Sequence, residues 1–467
     1  MLTKPCCALI GLLSLWPLPA VAQQAPWVLS GAGAAQYTLL TATGSALDRT
    51  GATLTLRSDT AKPSAFGTIL ARTPADSFRG RRVRIIADID AHNVTGWSSS
   101  WLRVDGPSGT LEFDNGQDDP LKGTSSGHRE MTLFVPQSAT LLYFGLLMSG
   151  SGEATARGLR IEARPPVAAN APLVPAAQRV LDSAITIVRA RALWRDTVTW
   201  AEVEPRVRAI AAGAENTREG YPAITMLLSS LGDHHSFFQP PTATRQFQTG
   251  GAQNPRPTVN ALPDSIGYIS VPGYAGVDTA AARGYVTDVR AALAAVQEQS
   301  SCRWVVDLRA NTGGNMWPML GGLEPFLGNA GLGSFVTNAG AGPLWHANDV
   351  VKLPVTPALS RLDSAYVAVL TSPRTGSSGE AVTIAFIGRP HTRSFGLPTA
   401  GLSTANRTFV LPDTSMIVLT VSVEADRNGK RYGQKIEPDE VVAADPVADP
   451  QLARAVAWLR SQPSCIR

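Results

Sequence analysis

The feature that most constrains the fold is a change of sequence pattern about a third of the way along the chain. Residues 27–165 contain strand-like segments, including the alternating Arg82–Ile89 and the continuous apolar Leu141–Met148, separated by turns rich in Gly, Asn and Asp. No long helical period interrupts them. This pattern predicts an all-β sandwich.

Three runs in this region are Trp101–Gly106, Leu111–Asn115 and Tyr143–Leu147. Together they resemble the jelly-roll modules of carbohydrate-binding domains.

A Pro- and Ala-rich stretch ending at Pro175 predicts a linker after this region. Residues 176–240 then show apolar side chains at helical spacing, which predicts a helical subdomain. From residue 264 to 447 strand-like and helix-like segments alternate, for example the apolar Trp304–Leu308 after the Ala-rich Thr279–Gln299. Alternation of this kind predicts an α/β domain with strands that feed loops. The chain is therefore expected to be multidomain.

The first residues have the character of an export signal. Lys4 precedes the apolar Cys6–Leu18, and Ala20-Val21-Ala22 supplies small residues for cleavage. Residues 1–22 are therefore predicted to be a signal peptide, and the mature protein to be periplasmic or secreted. The apolar run is too short to span a bilayer comfortably, and no later stretch reaches about twenty apolar residues, so no membrane span is expected.

Removal of this segment leaves two of the four cysteines, Cys302 and Cys465. In an oxidising compartment they either pair, tying the C-terminal tail to the last domain, or stay as separate thiols. The charge balance excludes one class of partner. There are 41 Lys and Arg against 37 Asp and Glu, and the positive residues are scattered, so no basic face for nucleic acid is expected.

Three segments carry groups suited to catalysis, and the first is the loop after the buried strand Trp304–Leu308. It continues to a glycine pair, Gly313 and Gly314. Glycine amides approach a ligand without a Cβ in the way, and they donate to a carbonyl oxygen as charge develops on it. The alternative is that the pair only forms a turn.

The second segment is Thr375–Glu380, between a strand and a helix. Ser377 or Ser378 presents its hydroxyl at a helix N-terminus, where free amides favour a developing negative charge. The alternative is that a serine merely caps the helix, with Glu380 closing a capping box. Both are compatible, because one serine can cap while the other reacts.

The third segment contains two of the six histidines, His234 and His235, directly after Asp233. The near-neutral pKa of histidine suits it to take a serine proton and return it to a leaving group. A zinc pair or a surface turn is the alternative. Adjacent histidines lack the i, i+4 spacing that places two ligands on one helix face, so neither a metal nor another cofactor is expected.

Together these segments resemble the C-terminal processing, or tail-specific and tricorn-like, serine peptidases over residues 176–447. The resemblance implies a crotonase-like α/β peptidase domain. Ser377 matches the nucleophile, and His235, rather than His234, matches the catalytic histidine. Gly313 or Gly314 and the amide of Ser378 match the oxyanion hole.

One departure bears on the mechanism. Where Ser–Lys processing peptidases have a lysine, this chain has Leu402. The resemblance therefore points to the histidine-using branch, which includes the tricorn and nisin-resistance peptidases. Its orienting acid is left open between Glu437, Asp439 and the local Asp233. The stretch 239–263 is too short for the PDZ domain that many relatives carry.

The sequence thus predicts an exported serine peptidase that hydrolyses peptides or unfolded chain ends through an acyl-enzyme. Two alternatives remain open. One is an esterase or other acyl hydrolase with the same site. The other is a catalytically silent protein that binds glycan or peptide, in which exposed aromatics of residues 27–165 contact a sugar.

Overall fold

The computed structural model describes residues 26–107, 109–117, 119–249, 254–297, 302–445 and 447–463. It divides into two compact units, Met1–Val167 and Ala168–Arg467. The predicted signal peptide, residues 1–22, lies outside the described residues, as does Cys465. Cys302 is disulfide-bonded, and its pairing with Cys465 stays a prediction. Within the described part of the chain, no helix is both long and apolar enough to cross a membrane.

The N-terminal unit is built from β-strands, as the sequence pattern predicts. In chain order they are β1 (Val28–Ser30), β2 (Tyr37–Thr43), β3 (Ala52–Ser58), β4 (Gly67–Pro74), β5 (Arg82–Gly106), β6 (Gly109–Asp114), β7 (Leu121–Phe134), β8 (Leu141–Ser149) and β9 (Glu153–Ala163).

The long strand β5 organises this unit. Its first part pairs with β7 and β9, and its last part pairs with β8 and β6. The strand order is β1-β4-β8-β5-β9-β3-β2. Alternate side chains of these strands fill one core, in which Ile85, Leu102 and Phe144 are fully buried. The β-rich N-terminal region is confirmed, whereas its jelly-roll likeness and a glycan ligand stay predictions.

The C-terminal unit mixes helices and strands. Its helices are α1 (Pro175–Arg191), α2 (Trp200–Ala211), α3 (Tyr221–Ser229), α4 (Pro241–Thr249), α5 (Thr279–Gln297), α6 (Met316–Leu327), α7 (Ser378–Phe386) and α8 (Pro450–Arg460). Its strands are β10 (Phe237–Gln239), β11 (Thr258–Leu262), β12 (Ile266–Ser270), β13 (Arg303–Asp307), β14 (Gly333–Thr337), β15 (Gly340–Trp345), β16 (Tyr366–Thr371), β17 (Thr392–Gly396), β18 (Thr404–Val410), β19 (Met416–Asp426) and β20 (Glu440–Val441).

These strands form two sheets. One has the order β11-β12-β13-β16-β17-β20, and its strands are parallel from β12 onward. The other is antiparallel, with the order β10-β19-β14-β15 and with β18 paired to β19. Helices α5, α6 and α7 contribute to the core beside the parallel sheet, where Trp304 and Phe326 lie edge to face. Strands buried in this way are typical of a parallel sheet covered by helices.

The carboxyl ends of β13 and β16 place two of the predicted motifs side by side. Because these strands are parallel neighbours, the loop after Asp307 and the turn after Thr371 leave the same edge of the sheet. The Thr375 hydroxyl donates to the Leu308 carbonyl at 2.9 Å, and the Gly376 amide donates to the Asn311 carbonyl at 3.0 Å. The glycine loop and the serine turn are therefore fixed to each other.

The third motif reaches this edge from the helical segment. Helices α1, α2 and α3 share a core with β19, which includes Leu181, Leu227 and Ile417. The chain after α3 turns through the histidine segment and continues as β10, whose Phe238 pairs with Ile417 of β19. Packing on β19 thus fixes the position of the histidines.

Candidate active site

Ser377 stands in an unusual backbone conformation at the start of α7. Its φ is 52° and its ψ is −123°. A non-glycine residue held there is strained by about 1–3 kcal/mol, and such strain persists only where neighbouring contacts impose it. The Ser377 amide donates to Glu380 Oε2 at 2.9 Å, which is the capping contact foreseen from the sequence. This bond between the Ser377 backbone and Glu380 holds the turn in its strained conformation.

Gly313 packs against this turn, and the site has no room for a larger residue there. It has a φ of +103°, and a Cβ added to it would lie 2.8 Å from Ser377 Cβ and 2.8 Å from the Gly376 carbonyl. Real Cβ atoms do not make contacts this short. Glycine is therefore required for the loop to approach the serine.

The Ser377 hydroxyl is hydrogen-bonded to a histidine. His235 Nε2 lies 3.0 Å from Ser377 Oγ, and the imidazole is only 8% exposed. Burial lowers the pKa of His235, an effect that the negative charge of Asp233 partly opposes. The ring is therefore neutral near pH 7, which is the state that accepts a proton. His234 lines the same cleft but has no hydrogen bond to Ser377 within the described structure.

The other nitrogen of the imidazole is hydrogen-bonded to a hydroxyl group. His235 Nδ1 lies 2.6 Å from Thr404 Oγ1, and Thr404 is buried on β18. If Nε2 is to accept the serine proton, Nδ1 must carry the ring hydrogen and donate it to Thr404. Thr404 was not among the residues identified from the sequence, because a threonine in a strand carries no distinguishing signal.

None of the three candidate orienting acids bonds to this ring within the described residues. Asp233 Oδ1 accepts the amides of His235 and Ser236, so this carboxylate shapes the turn rather than holding the imidazole. Asp439 accepts the amide and the hydroxyl of Ser394, which lies in the middle of β17. Glu437 is exposed and lines a different cavity. The expectation of an orienting carboxylate is corrected here, since a hydroxyl occupies its place.

Two backbone amides at the serine are left without an acceptor in the described structure. They belong to Gly314 and Ser378. The Gly313 amide, by contrast, donates to Asn311 Oδ1 at 3.0 Å, which leaves Gly314 as the glycine with a free N–H. The Ser378 hydroxyl donates to the Gly314 carbonyl at 2.6 Å and ties the two together. Two amides at a helix N-terminus form a suitable site for an oxyanion.

Glu380 locks the serine turn to the following loop. Its side chain is fully buried, and Oε1 accepts the Thr399 hydroxyl and the Gly401 amide. Oε2 accepts the amides of Ser377 and Leu402. Burial raises the pKa of Glu380, and these four donors oppose that rise by stabilising the charged form. Leu402 is thus held at the cleft, where the resemblance would place a lysine.

The serine and histidine open into a cleft of about 780 Å³. Much of its wall is apolar and includes Phe237, Val277, Trp317 and Phe335. A concave, mainly apolar site with a few polar groups is typical of a substrate cleft. Among the described residues, no three His, Cys, Asp or Glu side chains cluster in a way that would hold a metal ion.

Comparison with known proteins assigns a family to this site. Residues 265–442 match the model of peptidase family S41. The chain carries an S41 peptidase domain. This family consists of the C-terminal processing proteases, and the domain is that of a serine-type peptidase. The matched segment contains both the glycine loop and Ser377, whereas His235 lies before it.

Similar proteins match more than half of this chain. The nisin-resistance protein of Lactococcus lactis is 25% identical over 295 residues, which are 62% of this chain and 88% of that protein. A lipoprotein structure from Streptococcus agalactiae has 26% identity and a TM-score of 0.53, covering 64% of this chain and 99% of that one. A photosystem II D1 C-terminal processing protease has 14% identity and a TM-score of 0.44, covering 62% and 98%.

Proposed function

We propose that this S41 domain is an exported endopeptidase in which Ser377 is the nucleophile and His235 the general base. The observation that carries the proposal is the 3.0 Å contact between Ser377 Oγ and His235 Nε2, in a cleft large enough for a peptide. A nucleophile within hydrogen-bond reach of a neutral base is the arrangement needed for acyl transfer. The substrates are peptides or unfolded chain ends.

The reaction follows from the positions of these groups. Ser377 Oγ attacks the scissile carbonyl carbon while His235 Nε2 takes the hydroxyl proton. The carbonyl oxygen gains negative charge, and the amides of Gly314 and Ser378 stabilise it. His235 then protonates the leaving amine, which departs and leaves an acyl-Ser377 ester. A water molecule then attacks that ester while His235 takes its proton. His235 returns this proton to Ser377 Oγ as the carboxylic acid product leaves, which restores the serine.

Export is proposed from three observations. Residues 1–22 have the pattern of a signal peptide, and Cys302 is disulfide-bonded, a state that persists in oxidising compartments. Two similar proteins are named as a lipoprotein and a nisin-resistance protein, which agrees with a place at the cell envelope.

A serine-directed fluorophosphonate probe tests the proposal on the full-length protein. We expect one labelled residue, Ser377, identified by mass spectrometry of the digested protein, together with cleavage of an unbiased peptide library. Turnover of small esters without cleavage of any peptide would indicate an acyl hydrolase instead. Absence of both labelling and turnover would indicate a silent binding protein.

Thr404 provides a test of how the base is held. Changing Thr404→Val keeps the side-chain shape but leaves His235 Nδ1 without its acceptor. We expect kcat for peptide hydrolysis to fall by roughly tenfold to a hundredfold with little change in KM, because a misplaced base slows chemistry rather than binding. Thr404→Ser keeps the hydroxyl and is the matched control, expected to retain most activity. Equal losses in both variants would show that packing, not the hydrogen bond, matters.

The lowered pKa of His235 predicts the pH dependence of the reaction. His235 must be neutral to act, so kcat/KM falls as the pH drops through its pKa. Because burial lowers that pKa, we expect activity to persist below the usual titration range of histidine before it is lost. Asp233→Asn removes a charge that raises this pKa and should move the acid limb to still lower pH. A shift toward higher pH, measured at constant ionic strength, would contradict this assignment.

A further inference from the structure

One acidic side chain in the active-site cleft has no part in the mechanism. Glu424 lies near the end of β19, and its side chain is 2% exposed. Among the described residues that line the cleft it is the sole carboxylate. It stands opposite Phe335 of β14 in the antiparallel pair, and Phe335, Leu402 and Val421 line the same cleft.

The carboxyl group of Glu424 has no hydrogen-bond partner in the described structure. Its Oε2 atom is buried and unbonded. The backbone of the residue is fully used, since its amide donates to the Ser403 carbonyl and its carbonyl accepts the Tyr432 amide. Buried carboxyl groups elsewhere in the unit are compensated, so Glu424 is an exception that calls for a partner from outside the chain.

Two other buried acids show the contrast. Glu380 accepts four hydrogen bonds, and Glu324 forms an ion pair with Arg290. Burial raises the pKa of Glu424 well above its usual range, and the negative charge of Glu380 adds to that rise. Burial therefore favours the neutral form of Glu424, whose carboxyl group is unpaired at the wall of the substrate cleft.

We propose that Glu424 determines specificity by binding a lysine or arginine side chain of the peptide substrate. This inference rests on the proposed peptidase function. A nearly covered carboxyl group is reached by a long, unbranched side chain, and the apolar wall of Phe335 and Leu402 suits the methylene stem of such a residue. The terminal cation then supplies the N–H donors and the charge that Glu424 lacks.

The charges around Glu424 favour a cation over a neutral group. Glu380 is the charged neighbour that acts on it, and both charges have the same sign. The one arginine among the described cleft residues, Arg407, is exposed and therefore screened by solvent. A substrate cation beside Glu424 stabilises the ionised form, so Glu424 releases its proton to solvent and an ion pair forms.

The experiment compares peptides that differ at one position. A cleaved library peptide is resynthesised with lysine, arginine or norleucine at each position around the scissile bond, and kcat/KM is measured for the full-length protein. At one position we expect lysine or arginine to exceed norleucine by about 30-fold or more. In Glu424→Gln this preference should disappear while the norleucine peptide is still cleaved. Glu437→Gln alters an exposed carboxylate outside the cleft, and this control should retain the preference.

Each outcome separates the inference from the function on which it rests. Cleavage of all peptides without a basic preference, or a preference unchanged in Glu424→Gln, overturns the role of Glu424 and leaves the peptidase proposal standing. If no peptide is cleaved, the peptidase proposal fails. Equilibrium binding of the peptides to the Ser377→Ala protein then still tests the role of Glu424. Tighter binding of lysine peptides than of norleucine peptides, with this difference lost when Glu424→Gln is added, supports the site. Equal binding of the two kinds of peptide refutes it.

Discussion

Replacing Ser377 with alanine is expected to lower kcat/KM for peptide hydrolysis by roughly 10⁴- to 10⁶-fold, the range seen when the nucleophile of a serine peptidase is removed. Alanine keeps the Cβ that packs on Gly313 and leaves the Ser377 amide bonded to Glu380. The substitution removes one hydroxyl and its contact with His235. The chemistry should therefore fail while the turn stays in place.

The measurement combines steady-state hydrolysis, probe labelling and thermal unfolding. The expected result is loss of turnover and of labelling with an unchanged midpoint of unfolding. Ser364→Ala is a matched control, because Ser364 is an exposed serine whose hydroxyl donates to the Arg361 carbonyl. It should leave all three readings as in the wild type. Turnover retained in Ser377→Ala would remove Ser377 from the mechanism.

The sequence predicts only in part that the glycine loop and the serine turn lie side by side. Each motif follows a segment with the pattern of a buried strand, and chemistry-bearing loops gather where parallel strands end. The sequence does not state which strands are neighbours. The pairing of β13 with β16, from Arg303↔Tyr366 to Asp307↔Leu370, depends on the packing of the whole sheet, and this pairing brings Gly313 to Ser377.

The partner of the imidazole could not be predicted for a related reason. Thr404 reaches His235 because β18, which begins at Thr404, and β10, which follows the histidines, both pair with β19. Two segments far apart in the sequence are thereby brought together. The register of β18 shifts between Ala405 and Asn406, and no local signal marks that irregularity. Position along the chain therefore favours Glu437 and Asp439 as the acid, and in the structure neither is hydrogen-bonded to the ring.

The sequence does not show which of the two glycines has the free amide. Gly313 and Gly314 are equivalent in a sequence motif, and both have a positive φ. The Asn311 side chain distinguishes them, because its Oδ1 accepts the Gly313 amide and leaves that of Gly314 free. Side-chain hydrogen bonds of this kind depend on the turn geometry, which a sequence motif does not specify.

The N-terminal region shows that strand content is easier to predict than strand length. The alternation predicts a strand over Arg82–Ile89, and in the structure the same strand continues to Gly106. Its register shifts between Ala91 and Val94 and between Val94 and Ser98, and the strand pairs with different neighbouring strands along its length. Irregularities in the ladder interrupt the alternation on which the sequence argument depends.

Replacing His235 with alanine is expected to cost nearly as much as replacing Ser377, because the hydroxyl is a weak nucleophile without a base to take its proton. The double variant should then be little worse than either single one, since residues that act as a unit fail together. His234→Ala is the informative comparison. His234 lines the cleft without a hydrogen bond to the serine, so a much smaller loss is expected.

The non-additivity distinguishes a shared catalytic step from two separate structural effects. If His235 only stabilised the fold, its loss would lower the midpoint of unfolding and would add to the loss in Ser377→Ala. If it is the base, added imidazole should partly restore turnover in His235→Ala, because a small base then fits the space left by the ring. Imidazole should not restore the Ser377→Ala protein, which lacks the atom that attacks. Full inactivation by His234→Ala with an active His235→Ala would instead transfer the role of base to the neighbouring histidine.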